Sequence, residues 1–387
     1  LSWDGTTYRD FACFWRGGSD TRAGFEAYGE AFRNNRPFLN PPTALPLFAG
    51  LALLPLPTAY AVWTALNAGL VVGLVPLARR ALAEDQSAAA RGLDGATLLV
   101  LAAALALSNA TRSNLINGQM AILTAFALLL AYLARGMGRW PLAGGALAVA
   151  TVKVGTMLPF GMLFLTGRSR AVWKWLAAFV LLLCLATARV GDQGGRLERI
   201  AGEIGRLAGE GRVNDYSRAG PHSADILGLD KLFYHLGVGD RGLVRDLQVL
   251  SLALLGLALA AVVLRARAPR GLSASLLALY SVIFFYHRNY DAVILALPLA
   301  FAAGHARTAN GRPRRWMAAA ALMILLALYL PRRDLFALSH RTFESVLTAS
   351  FVEYLVLPSA TWLVLLGMLC LWVGARGLPP DEDLSRA

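Results

Sequence analysis

Apolar residues fall in long blocks separated by short polar breaks. The blocks cover roughly residues 43–57, 58–78, 96–108, 115–134, 141–165, 171–189, 246–264, 272–286, 290–303, 315–330 and 355–374. An upright bilayer span takes ~20 predominantly apolar residues. Several blocks fall short of that. Residues 96–108 and 290–303 are brief, and Lys153 and Pro159 interrupt 141–165. Short or broken helices are tolerated in a membrane only where they line a cavity within the protein. The pattern therefore predicts an all-α polytopic membrane protein: about eleven membrane segments bundled around a cavity. Three stretches lie outside that bundle, 1–42, 190–245 and 331–354.

Composition agrees. Of 387 residues, 57% are hydrophobic and 16% charged. A soluble domain carries about 25% charged residues. Disorder, a secreted disulfide scaffold and a coiled coil are excluded. The formal net charge is +13 and comes almost wholly from arginine, because Lys153, Lys174 and Lys231 are the only lysines. In a membrane protein such charge first reads as orientation rather than nucleic-acid binding. Arg168 and Arg170, the group Arg265, Arg267 and Arg270, and the group Arg307, Arg312, Arg314 and Arg315 sit in short loops and read as cytoplasmic. That places 190–245, 286–290 and 331–354 on the opposite face. The sides of the segments between 43 and 170 stay ambiguous. The chain opens on Leu1 and its first forty residues are polar and aromatic. A preceding stretch, a first transmembrane helix included, is expected.

Ionisable and amide groups near apolar segments carry the chemical information, since each is costly there. Asp10, in Tyr8-Arg9-Asp10-Phe11, reads either as part of an interfacial loop or as a carboxylate serving as a general base. Asn40-Pro41-Pro42 is a natural helix start. Asn117-Gly118-Gln119 either bridges helices or binds a polar ligand. Lys153 stands alone in an apolar run and calls for an anionic partner. His222-Ser223 reads as a turn of the outer loop. The densest polar island is Tyr286-His287-Arg288-Asn289-Tyr290-Asp291, between two apolar blocks. In it Arg288 is a phosphate fork, His287 a titratable donor and Asp291 an orienting carboxylate. By the charge argument Asp10, His222 and the 287–291 island share the non-cytoplasmic face. A carboxylate and cationic donors at one membrane face suit chemistry on an amphiphilic phosphate. No HExxH and no paired cysteines point to zinc, and no phosphate-loop motif points to a nucleotide. No metal, no cofactor and no nucleic acid is expected.

The ordered set resembles glycosyltransferase family 87, the polyprenol-phosphate-sugar-dependent transferases of the GT-C superfamily, over roughly residues 4 to 303. The set comprises Asp10, the Pro41-Pro42 helix start, Leu56-Pro57 with Ala61, Trp63 and Asn67, then Asn117-Gly118-Gln119. Lys153 with Pro159, Gly167-Arg168-Ser169-Arg170, a Ser-containing outer loop and the 286–291 island complete it. The resemblance implies that Asp10 is the catalytic base. It implies that Lys153, His287 and Arg288 meet the donor phosphate, and that Asn40, Asn117, Gln119, His222, Ser223 and Asp291 bind or orient substrate. The chain departs from the family pattern in three places. Asn40 stands where Tyr is common, Val154-Gly155-Thr156 replaces Leu-Thr-Pro, and His222 replaces Asn or Gln.

The implied protein is an inner-membrane hexosyltransferase with a polyprenyl-phosphate-sugar donor, a glycolipid or glycan acceptor and a non-cytoplasmic active site. The implied layout is a catalytic transmembrane module at 1–303, C-terminal helices at 304–377 and a polar tail at 378–387. A transporter or flippase of lipid-linked sugars is the rival reading. It accounts for broken helices and Lys153, and leaves Asp10 without a role.

Overall fold

The apolar block 141–165 folds as two helices joined by a kink at its lysine. In the computed structural model the described residues are 9–25, 27, 38, 40–165, 167–186, 198, 202, 204–212, 214–217, 220, 225–264, 269, 271–284, 287–330 and 358–378. Helix α1 spans Arg9–Arg22, α2 Leu45–Leu51, α3 Leu56–Glu84, α4 Gly95–Ala106, α5 Asn109–Asn117, α6 Ala121–Gly136, α7 Trp140–Ala150, α8 Val154–Gly161 and α9 Ala171–Leu185. Further along the chain come α10 Leu229–His235, α11 Arg241–Leu264, α12 Leu272–Ile283, α13 Ala296–Thr308, α14 Gly311–Tyr329 and α15 Ser359–Arg376.

Among the described residues four segments are long and apolar enough to cross a membrane: Leu56–Glu84, Trp140–Phe164, Arg241–Leu264 and Ser359–Arg376. A fifth arises if α4 and α5, bent by 51° at their junction, count as one span. Other apolar blocks give shorter helices, among them α6, α9 and α12. The eleven blocks of the sequence thus resolve into fewer long spans and a set of partial ones. The 331–354 loop lies outside the described residues.

Local chemistry sets the breaks. Ser108 caps α5 by accepting from the Thr111 N–H, and Asp94 caps α4 through Thr97. Gly118 closes α5 in the left-handed region, φ +63°, where only glycine is unstrained. Between α7 and α8 the Thr151 hydroxyl donates to the Ala148 carbonyl, 2.6 Å, a back-bond that bends helices. Lys153 then leaves the helical region at φ −130° and ψ 77°. Pro159 sits inside α8, so the break falls at the lysine and not at the proline.

Two apolar clusters organise the molecule. The larger joins α3 to α9 with α11 to α15. The smaller is an aromatic nest of Phe11, Phe14, Phe38, Phe48 and Trp63, closed by Met120 and Val152. Outside these, Leu250, Leu254, Leu257 and Leu264 are all exposed on α11, while Gln248, Leu252, Leu259 and Val262 of the same helix are buried. A helix that hides a glutamine and displays leucines is turned toward lipid.

Candidate active site

Asp10 lies in the first turn of α1, where the helix N-terminus favours a negative charge. Packing sets the helix position. Phe11 is fully buried, and its ring centroid lies 5.4 Å from Tyr60 and 6.3 Å from Trp63. Gly18 meets the Phe48 backbone in such close contact that no side chain fits between them. Burying one phenylalanine contributes roughly 2–3 kcal/mol. The Arg16–Asp20 pair on the exposed side of α1, at 4.0 Å, is of a kind that contributes about 0.3–0.5 kcal/mol. The aromatic nest, not charge, therefore holds α1. At its far end Arg22 donates to the Ala52 carbonyl and Trp15 to the Leu54 carbonyl, at 2.5 and 3.0 Å. These bonds tie α1 to the C-terminal end of α2.

The Asp10 carboxylate accepts from the Gln119 amide, Nε2 to Oδ2 at 2.6 Å. Gln119 is buried and follows the left-handed turn at Gly118. The Trp63 indole donates to the Gly118 carbonyl, 2.9 Å, and the Tyr60 hydroxyl to the carbonyls of Leu115 and Ile116, each 3.0 Å. The corner that presents Gln119 is thus fastened to α3. Asn117 ends α5 one residue before that corner, and half-buried Asn40 leads into the 3-10 turn Pro42–Ala44.

The second group surrounds Asp291. Lys153 Nζ lies 2.6 Å from Asp291 Oδ1, with the carboxylate 4% exposed. The other oxygen accepts from the Arg288 N–H at 3.1 Å and faces His287 Nδ1 at 3.2 Å. The other ring nitrogen, Nε2, is buried, has no hydrogen-bond partner among the described residues, and points toward Gly155, where an added Cβ would lie 3.6 Å away. Tyr290 stands beside the Lys153 ammonium, 4.8 Å from ring centroid to nitrogen. His287 and Arg288 form a short strand β2, antiparallel to β1 (Ile226–Leu227). The island is therefore a sheet edge leading into the 3-10 helix Asn289–Leu295.

The two groups are linked through shared packing of neighbouring residues. Phe11, Met120 and Val152 flank Asp10, Gln119 and Lys153 in sequence, and all three sit in the aromatic nest. The Thr151 and Thr43 hydroxyls bond across at 2.9 Å. Helix α5 packs along the 3-10 helix that carries Asp291. Pro221–Ala224, with the predicted His222 and Ser223, lie outside the described residues. Sequence reasoning gave no site role to Tyr60, Trp63 or Asn214, whose amide oxygen accepts from Arg288 Nη2 at 2.9 Å. A tryptophan in an apolar run reads as core, and a loop asparagine reads as solvated. Among the described residues no three His, Cys, Asp or Glu side chains gather to hold a metal ion.

Neither curated proteins nor solved structures gave a match to this chain. The pattern of glycosyltransferase family 87 matches residues 38–286, close to two thirds of the chain. Asn40, Asn117, Gln119, Lys153, His222 and Ser223 fall inside the matched range, whereas Asp10, His287, Arg288 and Asp291 flank it. With its apolar helices and this match, the chain belongs to glycosyltransferase family 87 and is a multi-pass membrane glycosyltransferase.

Proposed function

We propose that this chain moves a hexose, mannose first among the candidates, from a polyprenyl phosphate to an acceptor hydroxyl at the non-cytoplasmic face of the inner membrane. The acceptor would be a glycolipid or glycan. The observation that carries the proposal is the Asp10 carboxylate, fixed by Gln119 and sharing one aromatic nest with the segment that bears Lys153.

The step is an inverting displacement. Asp10 takes the proton of the acceptor hydroxyl as its oxygen attacks the anomeric carbon. The bond from that carbon to the phosphate oxygen breaks, and polyprenyl phosphate departs with the electron pair. Arg288 and His287 face the growing phosphate charge, where preorganised donors stabilise it. Lys153 acts through Asp291, which orients His287 and the Arg288 backbone. Charge supports the proposed face. Arg307, Arg312, Arg314 and Arg315 cluster around the junction of α13 and α14, and Asp291 lies beyond the other end of α13. Thirteen helical residues separate the two ends, about 20 Å.

The test is a donor screen on purified protein in detergent, with radiolabelled polyprenyl-phosphate hexoses and mass spectrometry of the lipid product. Asp10→Ala should bind donor and transfer nothing. Full transfer by that variant would remove the base.

A further inference from the structure

The outer loop contains a second buried carboxylate that the reaction does not use. Asp215 is fully enclosed. Its Oδ2 accepts from the Gly211 N–H at 2.8 Å and from the Ser217 hydroxyl at 2.7 Å. Its Oδ1 accepts from the Ser217 N–H at 2.9 Å and from Arg241 Nη2 at 3.0 Å. Arg241 is the first residue of α11, and its guanidinium also lies over the Tyr216 ring, 5.5 Å from the centroid. Gly220 packs directly on the Asp215 carbonyl, an approach that a side chain would block. The loop thus folds around one ionised group and is clamped to a membrane helix. A charge with four donors is satisfied in a way that an isolated buried carboxylate is not.

The residue before this knot is Asn214. Its backbone N–H donates to the Leu207 carbonyl at 2.9 Å, and its side-chain oxygen takes Arg288 Nη2 at 2.9 Å. The loop therefore touches the 287–288 strand both through β1 and through Asn214. The second contact is with a guanidinium, and an amide oxygen orients that planar fork without adding charge. A carboxylate at the same position would be the stronger acceptor and would place a negative charge beside the arginine.

We propose that Asn214, held by the Asp215 knot, is a positioning residue that aims Arg288 at the donor phosphate while preserving its attraction for an anion. This rests on the assignment of Arg288 to the donor phosphate. A loop that only covered the bundle would need no neutral acceptor at this position. A tether would work as well or better with aspartate.

The test uses the full chain in detergent micelles and measures binding of decaprenyl monophosphate, with decaprenol as the uncharged control. Arg288→Ala should weaken phosphate binding about tenfold or more and leave decaprenol binding unchanged. Asn214→Asp, nearly isosteric, should weaken it by about tenfold, and by more than Asn214→Ala does. That order is opposite to the one a tether predicts. Melting temperatures check folding, and if Asn214→Ala is destabilised, Asn214→Asp against the native chain decides. Native-like binding by Asn214→Asp beside a weak Arg288→Ala would overturn the role of Asn214 alone. Native-like binding by Arg288→Ala would overturn the phosphate assignment, and this inference with it.

Discussion

Lys153 Nζ and Asp291 Oδ1 lie 2.6 Å apart, an ion pair closed across 138 residues of chain. The lysine side chain is 16% exposed and the carboxylate 4%, so solvent shields the pair little. Removing one member of such a pair leaves an uncompensated charge and costs about 3–5 kcal/mol. Lys153→Met should lower the melting temperature in detergent far more than Arg16→Ala, which breaks an exposed pair. The double variant Lys153→Met/Asp291→Leu should recover much of that loss, because no lone charge remains. It should stay inactive, since His287 Nδ1 and the Arg288 N–H lose their acceptor. A double variant no more stable than Lys153→Met would show that the pair is not what holds this region.

Gln119 tests the base from its other side. Its amide gives Asp10 one charge-assisted hydrogen bond, a class that contributes about 1.5–3 kcal/mol. Gln119→Ala should lower kcat/KM about tenfold to a hundredfold. Gln119→Glu replaces the donor with an ionised group that only accepts, so its turnover should fall at least as far as that of Gln119→Ala. Native turnover by both variants would show that Gln119 does not hold the Asp10 carboxylate.

The fold was legible in the sequence where the signal is local. Continuous apolar blocks gave α3, α11 and α15, and a lone lysine in such a block marked the break before α8. Asp10, Gln119, Lys153, His287 and Asp291 stood out because polar groups are costly near lipid. Their pairing was not legible. Nothing local in Lys153 names a partner 138 residues away, and no periodicity links Trp63 to the Gly118 carbonyl. The number of full spans was not legible either. A helix broken inside the bundle and one that crosses the bilayer carry the same composition, and only packing separates them. Asp215 was hidden because in sequence a loop aspartate resembles any solvated one.

Two loop carboxylates should move stability with pH in opposite directions. Burial pushes the Asp230 carboxyl up to about 6, against the hydrogen bond and charge of Lys231. The folded state then binds this proton more tightly than the unfolded chain, whose value is 3.8. The contribution is fully present below the unfolded value and is lost as pH rises through the folded one, on the order of 3 kcal/mol over that window. For Asp215 burial also acts upward, but the bonds from Ser217 and Gly211 and the Arg241 charge outweigh it and hold the carboxyl below its ordinary value. Its contribution is present above the ordinary carboxylate range and fades as pH falls through the lowered value. Asp230→Asn should therefore flatten the decline in stability between pH 4 and about 6, seen in chemical denaturation in detergent. Asp215→Ala should lower stability at neutral pH and make little difference in strong acid. A decline that survives Asp230→Asn would assign the slope to other groups.

Gly18 offers the sharpest test of how Asp10 is placed. A Cβ at this position would overlap the Phe48 carbonyl, so even alanine must push α1 away from α2. Asp10 sits about two turns upstream on the same helix, and a shift at Gly18 is carried to it. A misplacement of about 1 Å at a reacting group costs on the order of a hundredfold in rate. Gly18→Ala should lose about that much in kcat, while donor binding persists because His287 and Arg288 lie on other elements. Gly50 is the control. It lies in α2 with nothing within 4 Å of an added Cβ, and Gly50→Ala should be neutral or stabilise by up to about 1 kcal/mol through helix propensity. Native turnover by Gly18→Ala, with melting unchanged, would show that the close contact of α1 and α2 does not set the position of the carboxylate.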